Sequence, residues 1–273
     1  MNVMPKAVFA KAASGDVCSR TAEGMTYRAD GSTQAVSWQV PEETPVALQF
    51  NSEPFTVMMA TPTDLRDFAI GLALAEGILP DPSQIIGVLV MPVENGVTVD
   101  IAVPEAAIEK SRLVRRAIEG RSGCGLCGVE DIDAALRPLT SLQRTWTPSP
   151  AAILTAAASL SEHQPMNRLN RSVHGAAWVS PDGEILLVRE DVGRHNALDK
   201  LIGALVQADI DRASGFVLMT SRCSYELVQK CVTAGIGALV TVSAPTALAL
   251  DIAKSANLFL AALQRDAVVV LNT

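Results

Sequence analysis

The chain has 273 residues, 49% of them apolar and only 4% aromatic, so its core must be built mainly of Ala, Val, Leu and Ile, in one large domain or two modest ones. With 22 basic against 29 acidic residues its net charge is -7, which argues against duplex nucleic acid as a partner, because that affinity comes from Lys and Arg neutralising phosphates. No apolar run reaches the ~18 residues of a membrane helix, so no membrane partner is expected.

In chain order, residues 1–13 carry two lysines but no sustained apolar stretch, and do not read as a signal peptide. Residues 1–44 are rich in Gly, Ser, Thr and Asp and read as a loosely ordered lead-in, with one strand near 36–40. Residues 46–60 predict two short strands around the turn Asn51-Ser52-Glu53-Pro54. A helix follows: Thr61-Pro62-Thr63-Asp64 supplies a cap and an early proline, Leu65, Phe68, Ala69, Leu72 and Ala73 share one face, and Gly77 ends it. Residues 85–90 and 97–103 alternate as paired strands across Glu94-Asn95-Gly96. A charged helix is expected over 105–119, and 138–150, with three prolines, reads as a linker.

The second half predicts a hairpin (176–180 and 184–189) across Pro181-Asp182-Gly183, then a helix with Leu198, Leu201, Ile202 and Leu205 on one face. A strand over 216–220, a helix over 225–234, a strand over 238–242, a helix over 247–260 and a strand over 268–271 complete it. Strands alternating with helices of this length imply an α/β sheet sandwiched by helices. The boundaries expected are a lead-in 1–44, an N-terminal α+β domain 45–145 ending in a Cys-x-x-Cys loop, and an α/β domain 146–273.

That loop, Arg121-Ser122-Gly123-Cys124-Gly125-Leu126-Cys127-Gly128, is the most informative stretch. Sulfur chemistry needs a thiolate, and a free thiol with pKa ~8.5 is only slightly ionised at neutral pH. Arg121 and the amides of a glycine-rich loop would lower that pKa. Two cysteines at this spacing let one carry a transferable sulfur while the other resolves it. A structural zinc site, a redox pair and a plain structural loop remain as alternatives; a second Cys-x-x-Cys to complete a zinc site is absent. Five cysteines, an odd count, suit reduced thiols in a cytoplasm, with Cys223 and Cys231 as core thiols.

A second constellation, Arg189-Glu190-Asp191-Val192-Gly193-Arg194-His195-Asn196-Ala197-Leu198-Asp199-Lys200, follows a strand and opens a helix, a natural anion site. Glu190 and Asp191 either meet guanine-like N–H donors or cap the helix. Thr220-Ser221-Arg222-Cys223-Ser224-Tyr225-Glu226 and Ser243-Ala244-Pro245-Thr246 repeat the design. Three such turns on one sheet edge favour a phosphate-bearing ligand.

Together these segments resemble the FdhD family of formate dehydrogenase accessory sulfurtransferases, over residues 42–253. The motifs that carry the resemblance are Cys-Gly-Leu-Cys-Gly at 124–128, Glu-Asp-Val-Gly-Arg-His-Asn-Ala-Leu-Asp-Lys at 190–200 and Ser-Ala-Pro-Thr-Ala-Leu-Ala at 243–249. Weaker echoes are Thr61-Pro62, Ile70-Gly71, Glu76-Gly77, and Ser221-Arg222 with Ser224, Glu226 and Lys230. The resemblance implies a cytidine-deaminase-like three-layer core with a smaller N-terminal α+β domain, in a cytoplasmic homodimer. It implies persulfide sulfur passed from a cysteine desulfurase to molybdenum bis(molybdopterin guanine dinucleotide), bound as substrate, for formate dehydrogenase. Cys124 would be the carrier and Cys127 its partner. His174, Arg194, His195, Asn196, Ser221, Arg222, Ser243, Ala244, Pro245, Thr246 and Arg265 would hold the guanine-nucleotide-containing cofactor, and no residue would hold a resident metal. The alternative is a cofactor-binding chaperone for formate dehydrogenase that moves no sulfur.

A zinc deaminase is excluded: His174-Gly175-Ala176 lacks the glutamate of His-x-Glu, and the cysteine pair precedes that histidine. Two departures from the family stand out. Asn170-Arg171-Ser172 replaces a Thr-Gly-Gly turn, and Leu263-Gln264-Arg265-Asp266-Ala267 keeps only the arginine of a Phe-x-Arg-Gly-Gly-type segment. An aspartate there is unfavourable beside a phosphate.

Overall fold

In the computed structural model, which describes residues 18–112 and 139–273, the expected lead-in opens on an antiparallel ribbon of β1 (Ser19–Tyr27) and β2 (Thr33–Pro41). The turn between them carries Asp30-Gly31, with Gly31 at φ 83°, a short-range hairpin signal. The ribbon is largely exposed and so lacks the buried alternation that marks most strands in sequence.

The next strands follow the expected pattern. Asn51 and Ser52 both have positive φ, the backbone of a tight hairpin turn, and link β3 (Thr44–Phe50) to β4 (Glu53–Ala60). With β5 (Gly87–Val93) and β6 (Gly96–Ala102) they form a four-stranded sheet in the order β4-β3-β6-β5. Val46, Leu48 and Phe50 alternate onto its inner face, beside Val99 and Ile101. Against that face packs α1 (Leu65–Ala75), through Phe68, Ala69, Leu72 and Ala73, and Gly77 at φ 68° closes the helix. The helix expected over 105–119 is replaced at its start by two 3-10 turns, Glu105–Ala107 and Lys110–Arg112. The backbone is extended at Ile108, and the Glu109 amide donates to the Ile78 carbonyl at the end of α1. The rest of that expected helix, and the cysteine loop with Cys124 and Cys127, lie outside the described residues.

The C-terminal sheet has six strands: β7 (His174–Val179), β8 (Ile185–Asp191), β9 (Phe216–Met219), β10 (Ala238–Thr241), β11 (Phe259–Gln264) and β12 (Ala267–Asn272), in the order β12-β11-β10-β9-β7-β8. The sheet is mixed. β9, β10 and β11 are parallel, β7 is antiparallel to both its neighbours, and β12 to β11, so β8 through β11 all end on the same edge. One face is covered by α2 (Pro150–Ser159) through Ile153 and Ala156. Sequence periodicity passed over this Ala-rich helix, although Ser149 caps it and Pro150 opens it; a six-residue helix, α3 (Pro165–Asn170), follows. The other face carries α4 (Arg194–Gln207), α5 (Tyr225–Thr233) and α6 (Ala247–Ser255). The helix expected over 247–260 stops at Ser255 because Asn257 takes a left-handed conformation, φ 55°, and the apolar run beyond it becomes β11.

The two sheets are joined where α1 crosses α4. A methyl group at Gly71 would overlap the Asp199 carbonyl oxygen, and one at Gly203 would overlap that of Asp67. Only glycine at both positions lets the helix backbones come this close. Gly71→Ala is therefore expected to lower unfolding free energy by about 3 kcal/mol or more, read from urea denaturation; a change within the error of the measurement would show that the crossing is not close-packed.

Candidate functional site

Because β8 through β11 end together, the polar turns that follow them assemble side by side. His174, which opens β7, pairs in register with Asp191 at the end of β8. The Gly175 amide donates to Thr220 Oγ1 at 2.8 Å, and the Thr220 amide donates to the Gly175 carbonyl at 3.0 Å, bringing the turn after β9 alongside. That turn is stitched to the one after β10 by a bridge between Cys223 and Pro245 and by the Thr246 amide donating to the Cys223 carbonyl. Arg265 sits in the two-residue turn between β11 and β12, on the same edge.

Several expected site residues do not face this edge. Asp191 is fully buried. It accepts from the Thr61 amide (3.0 Å), the Gly193 amide (2.8 Å) and Asn196 Nδ2 (2.9 Å), and lies 2.7 Å from Lys200 Nζ. Asn196 also donates to the Met59 carbonyl at 2.8 Å, and Lys200 to that of Thr61 at 2.9 Å. Asn196 thus fastens the β4–α1 corner to α4, and its amide is not presented to a ligand. Glu190 accepts from the Met166 and Asn167 amides, both at 2.8 Å, and caps α3. Asp199 meets Lys230 Nζ at 2.8 Å, and Glu76, which caps the end of α1, meets the same nitrogen at 3.0 Å. Ser221 is buried, with its hydroxyl donating to the Arg222 carbonyl. Between capping and ligand contact, the two uses open to Glu190 and Asp191, the geometry takes the internal one.

What remains at the edge is cationic. Arg222 is exposed, and Arg194 and His174 are half-buried. Of the three helices that begin here, α6 is capped by Thr246, whose Oγ1 accepts from the Ala249 amide. The N-termini of α4 and α5 have no side-chain cap, leaving orphan N–H groups that favour an anion. Ser243 is half-buried and Ala244, Thr246 and Arg265 are exposed. Arg265 at φ 56° and Arg171 at φ 54° hold left-handed backbone, the region that glycine enters at no steric cost.

Beneath the arginines, burial foremost pushes the His174 and His195 imidazoles below the usual histidine range, with the Arg194 charge adding to it. Glu226, in the first turn of α5, behaves oppositely. Burial works against its ionisation, yet the His195 imidazole and the Ser224 hydroxyl beside it hold its pKa at about 2. Sequence alone places Ser224 and Glu226 in a polar strand-to-helix turn and in a weaker family echo, but not among the expected cofactor-binding residues; an acid in a first helical turn also compensates the helix dipole. Burial pushes the Cys223 thiol up to about 12 and raises Cys231 as well, so neither is a thiolate. Among the described residues no group of three or more His, Cys, Asp and Glu is placed to hold a metal, and no helix is long and apolar enough to cross a membrane.

The lowered pKa of His195 fixes a pH dependence. Below the ordinary value of 6.5 the unfolded chain binds a proton that the folded protein refuses, so stability present above that pH is lost as pH falls through the folded pKa. His195→Gln is expected to flatten this part of the curve in denaturation midpoints taken from about pH 7 to about pH 5. Parallel curves for the two proteins would show that the imidazole is not held neutral.

Comparison with known proteins places these observations. A sulfur carrier protein FdhD from Bordetella petrii is 44% identical over 229 residues, covering 84% of this chain and 82% of that one. One from Chromobacterium violaceum is 44% identical over 254 residues, covering 90% and 94%. Among solved structures, a chain from Desulfotalea psychrophila described as a formate dehydrogenase accessory protein superposes with a TM-score of 0.74 at 23% identity, covering 94% of this chain and 97% of that one; this likeness shows the same mixed α/β fold. The FdhD/NarQ family model matches residues 41–271, and the chain belongs to the FdhD/NarQ family.

Proposed function

We propose that the chain is a sulfurtransferase that carries persulfide sulfur on Cys124, assisted by Cys127, from a cysteine desulfurase to molybdenum bis(molybdopterin guanine dinucleotide) bound as substrate at the polar edge, for use by formate dehydrogenase. Support comes from the relatives named as sulfur carriers and above all from one observation: two helix N-termini without side-chain caps open on an edge flanked by Arg194 and Arg222. Such an edge suits the pyrophosphate groups of a dinucleotide. Loading is a thiolate exchange. The Cys124 thiolate attacks the outer sulfur of the desulfurase persulfide, a new S–S bond forms, the old one breaks, and the desulfurase leaves as a thiolate. No oxidant is needed. The reading keeps the cytoplasmic location and homodimeric state expected from the sequence.

Chain length supports the reading. Arg112, on one side of the cysteine segment, lies by Gly77 near Thr233 at the end of α5. On the other side the Leu142 amide donates to the Ala256 carbonyl just past α6. Both flanks therefore sit at the edge opposite the polar one. A nine-residue helix such as α5 is about 14 Å long, and Cys124 is twelve residues beyond Arg112, an extended reach of about 40 Å.

Incubation with a cysteine desulfurase and cysteine is expected to add about 32 Da, one sulfur atom, to the protein but not to Cys124→Ala. In a deletion strain the Cys124→Ala/Cys127→Ala variant is expected to leave formate dehydrogenase inactive. Full activity with that variant would instead support a chaperone that moves no sulfur.

A further inference from the structure

His195 Nε2, Ser224 Oγ and Glu226 Oε2 converge between the N-termini of α4 and α5, and each is buried without a hydrogen-bond partner. His195 is only 4% exposed. Its Nε2 lies 3.9 Å from Glu226 Oε2, beyond hydrogen-bond length. Ser224 is the N-cap residue of α5 but makes no capping bond, so its hydroxyl, beside Glu226, does not serve the helix amides as an N-cap ordinarily would. Lys230, the nearby cation, is engaged by Asp199 and Glu76. The Glu226 side chain still reaches the surface, at 12% exposure.

A carboxylate at an edge that also carries Arg194, His174 and Arg222 works against phosphate binding, and a buried oxygen such as Oε2 without a donor is costly. Both facts make sense if the ligand brings the donors. A phosphate has none. A ring with an N–H next to an exocyclic amine has two parallel ones, which match the two oxygens of a carboxylate. Guanine and pterin share that edge; hypoxanthine lacks the amine.

Resting on the reading that this edge holds the anionic cofactor, we propose that Glu226, backed by Ser224 and His195, is the specificity-determining residue that reads the amide–amine edge of a guanine or pterin ring, while the uncapped ends of α4 and α5 take the phosphates. The test is equilibrium binding of GDP, IDP and pyrophosphate to the full chain and to Glu226→Gln. The intact protein is expected to prefer GDP over IDP by about tenfold or more. Glu226→Gln is expected to abolish that preference while binding pyrophosphate at least as well as before, which also shows that the variant is folded. Equal affinity for GDP and IDP in the intact protein, or a parallel loss of all ligands in Glu226→Gln, would overturn the assignment while leaving the anion edge in place. Failure of all three to bind the intact protein would remove the edge itself. Competition of 6-hydroxymethylpterin with GDP, lost in Glu226→Gln, assigns the subsite to the pterin end; its absence beside a GDP preference assigns it to the guanine end, and either result supports the shared chemistry.

Discussion

Lys200 and Asp191 are both wholly shielded from solvent, with Nζ and Oδ2 2.7 Å apart. A buried pair of this kind offsets its desolvation only if the remaining lone pairs and protons are also satisfied. Here they are, in part by neighbours in the same motif and in part by Thr61, at the end of the other sheet. The Thr61 amide donates to Asp191, the Thr61 carbonyl accepts from Lys200, and Thr61 Oγ1 accepts from the Val192 amide. One threonine at the β4–α1 corner is thereby bonded to both charges and to the turn that opens α4. Asp191 also holds the Gly193 amide, so the same carboxylate fixes the backbone from which the first turn of α4 emerges.

That arrangement divides the longest family motif into two sets. Glu190, Asp191, Asn196, Asp199 and Lys200 point into the protein and bind α3, α1, α5 and the β4–α1 corner to the C-terminal sheet. Arg194 is left at the surface, at the head of a helix with no side-chain cap. Two further contacts tie α1 down: the Asp67–Arg189 pair at 2.7 Å, and the glycine crossing with α4. The turns that make the edge are thus anchored at strand ends and helix starts that are themselves tied to the rest of the protein, which suits a site that must present fixed donors to a polyanion.

Much of this was legible in the sequence, for identifiable reasons. The hairpins at 51–52 and 181–183 carry turn residues whose backbone preferences are strong, and the strand-to-helix turns after β8, β9 and β10 could be placed on one edge from alternation alone. Of the β1–β2 ribbon only a strand near 36–40, within β2, is legible in the sequence, because the ribbon buries little and pattern reading depends on burial. The expected helix runs into the first two residues of β11 because Leu258 to Ala262 is a continuous buried run, which has no period to separate strand from helix; Asn257 is the signal that ends the helix. The roles of Asp191 and Lys200 were not legible, since a cap, a ligand contact and an inter-sheet fastener call for the same residue types. Only the partner, Thr61, some 130 residues away in the chain, decides among them.

The division between fastening and binding residues can be separated most directly in Lys200→Met. Removing the lysine leaves Asp191 buried without its counter-charge, so unfolding free energy is predicted to fall by about 3–5 kcal/mol. Pyrophosphate affinity, measured at a temperature where the variant is still folded, is predicted to stay within about twofold, because no edge group is lost. Unchanged stability with a collapse of affinity would contradict the account and place Lys200 in the binding site.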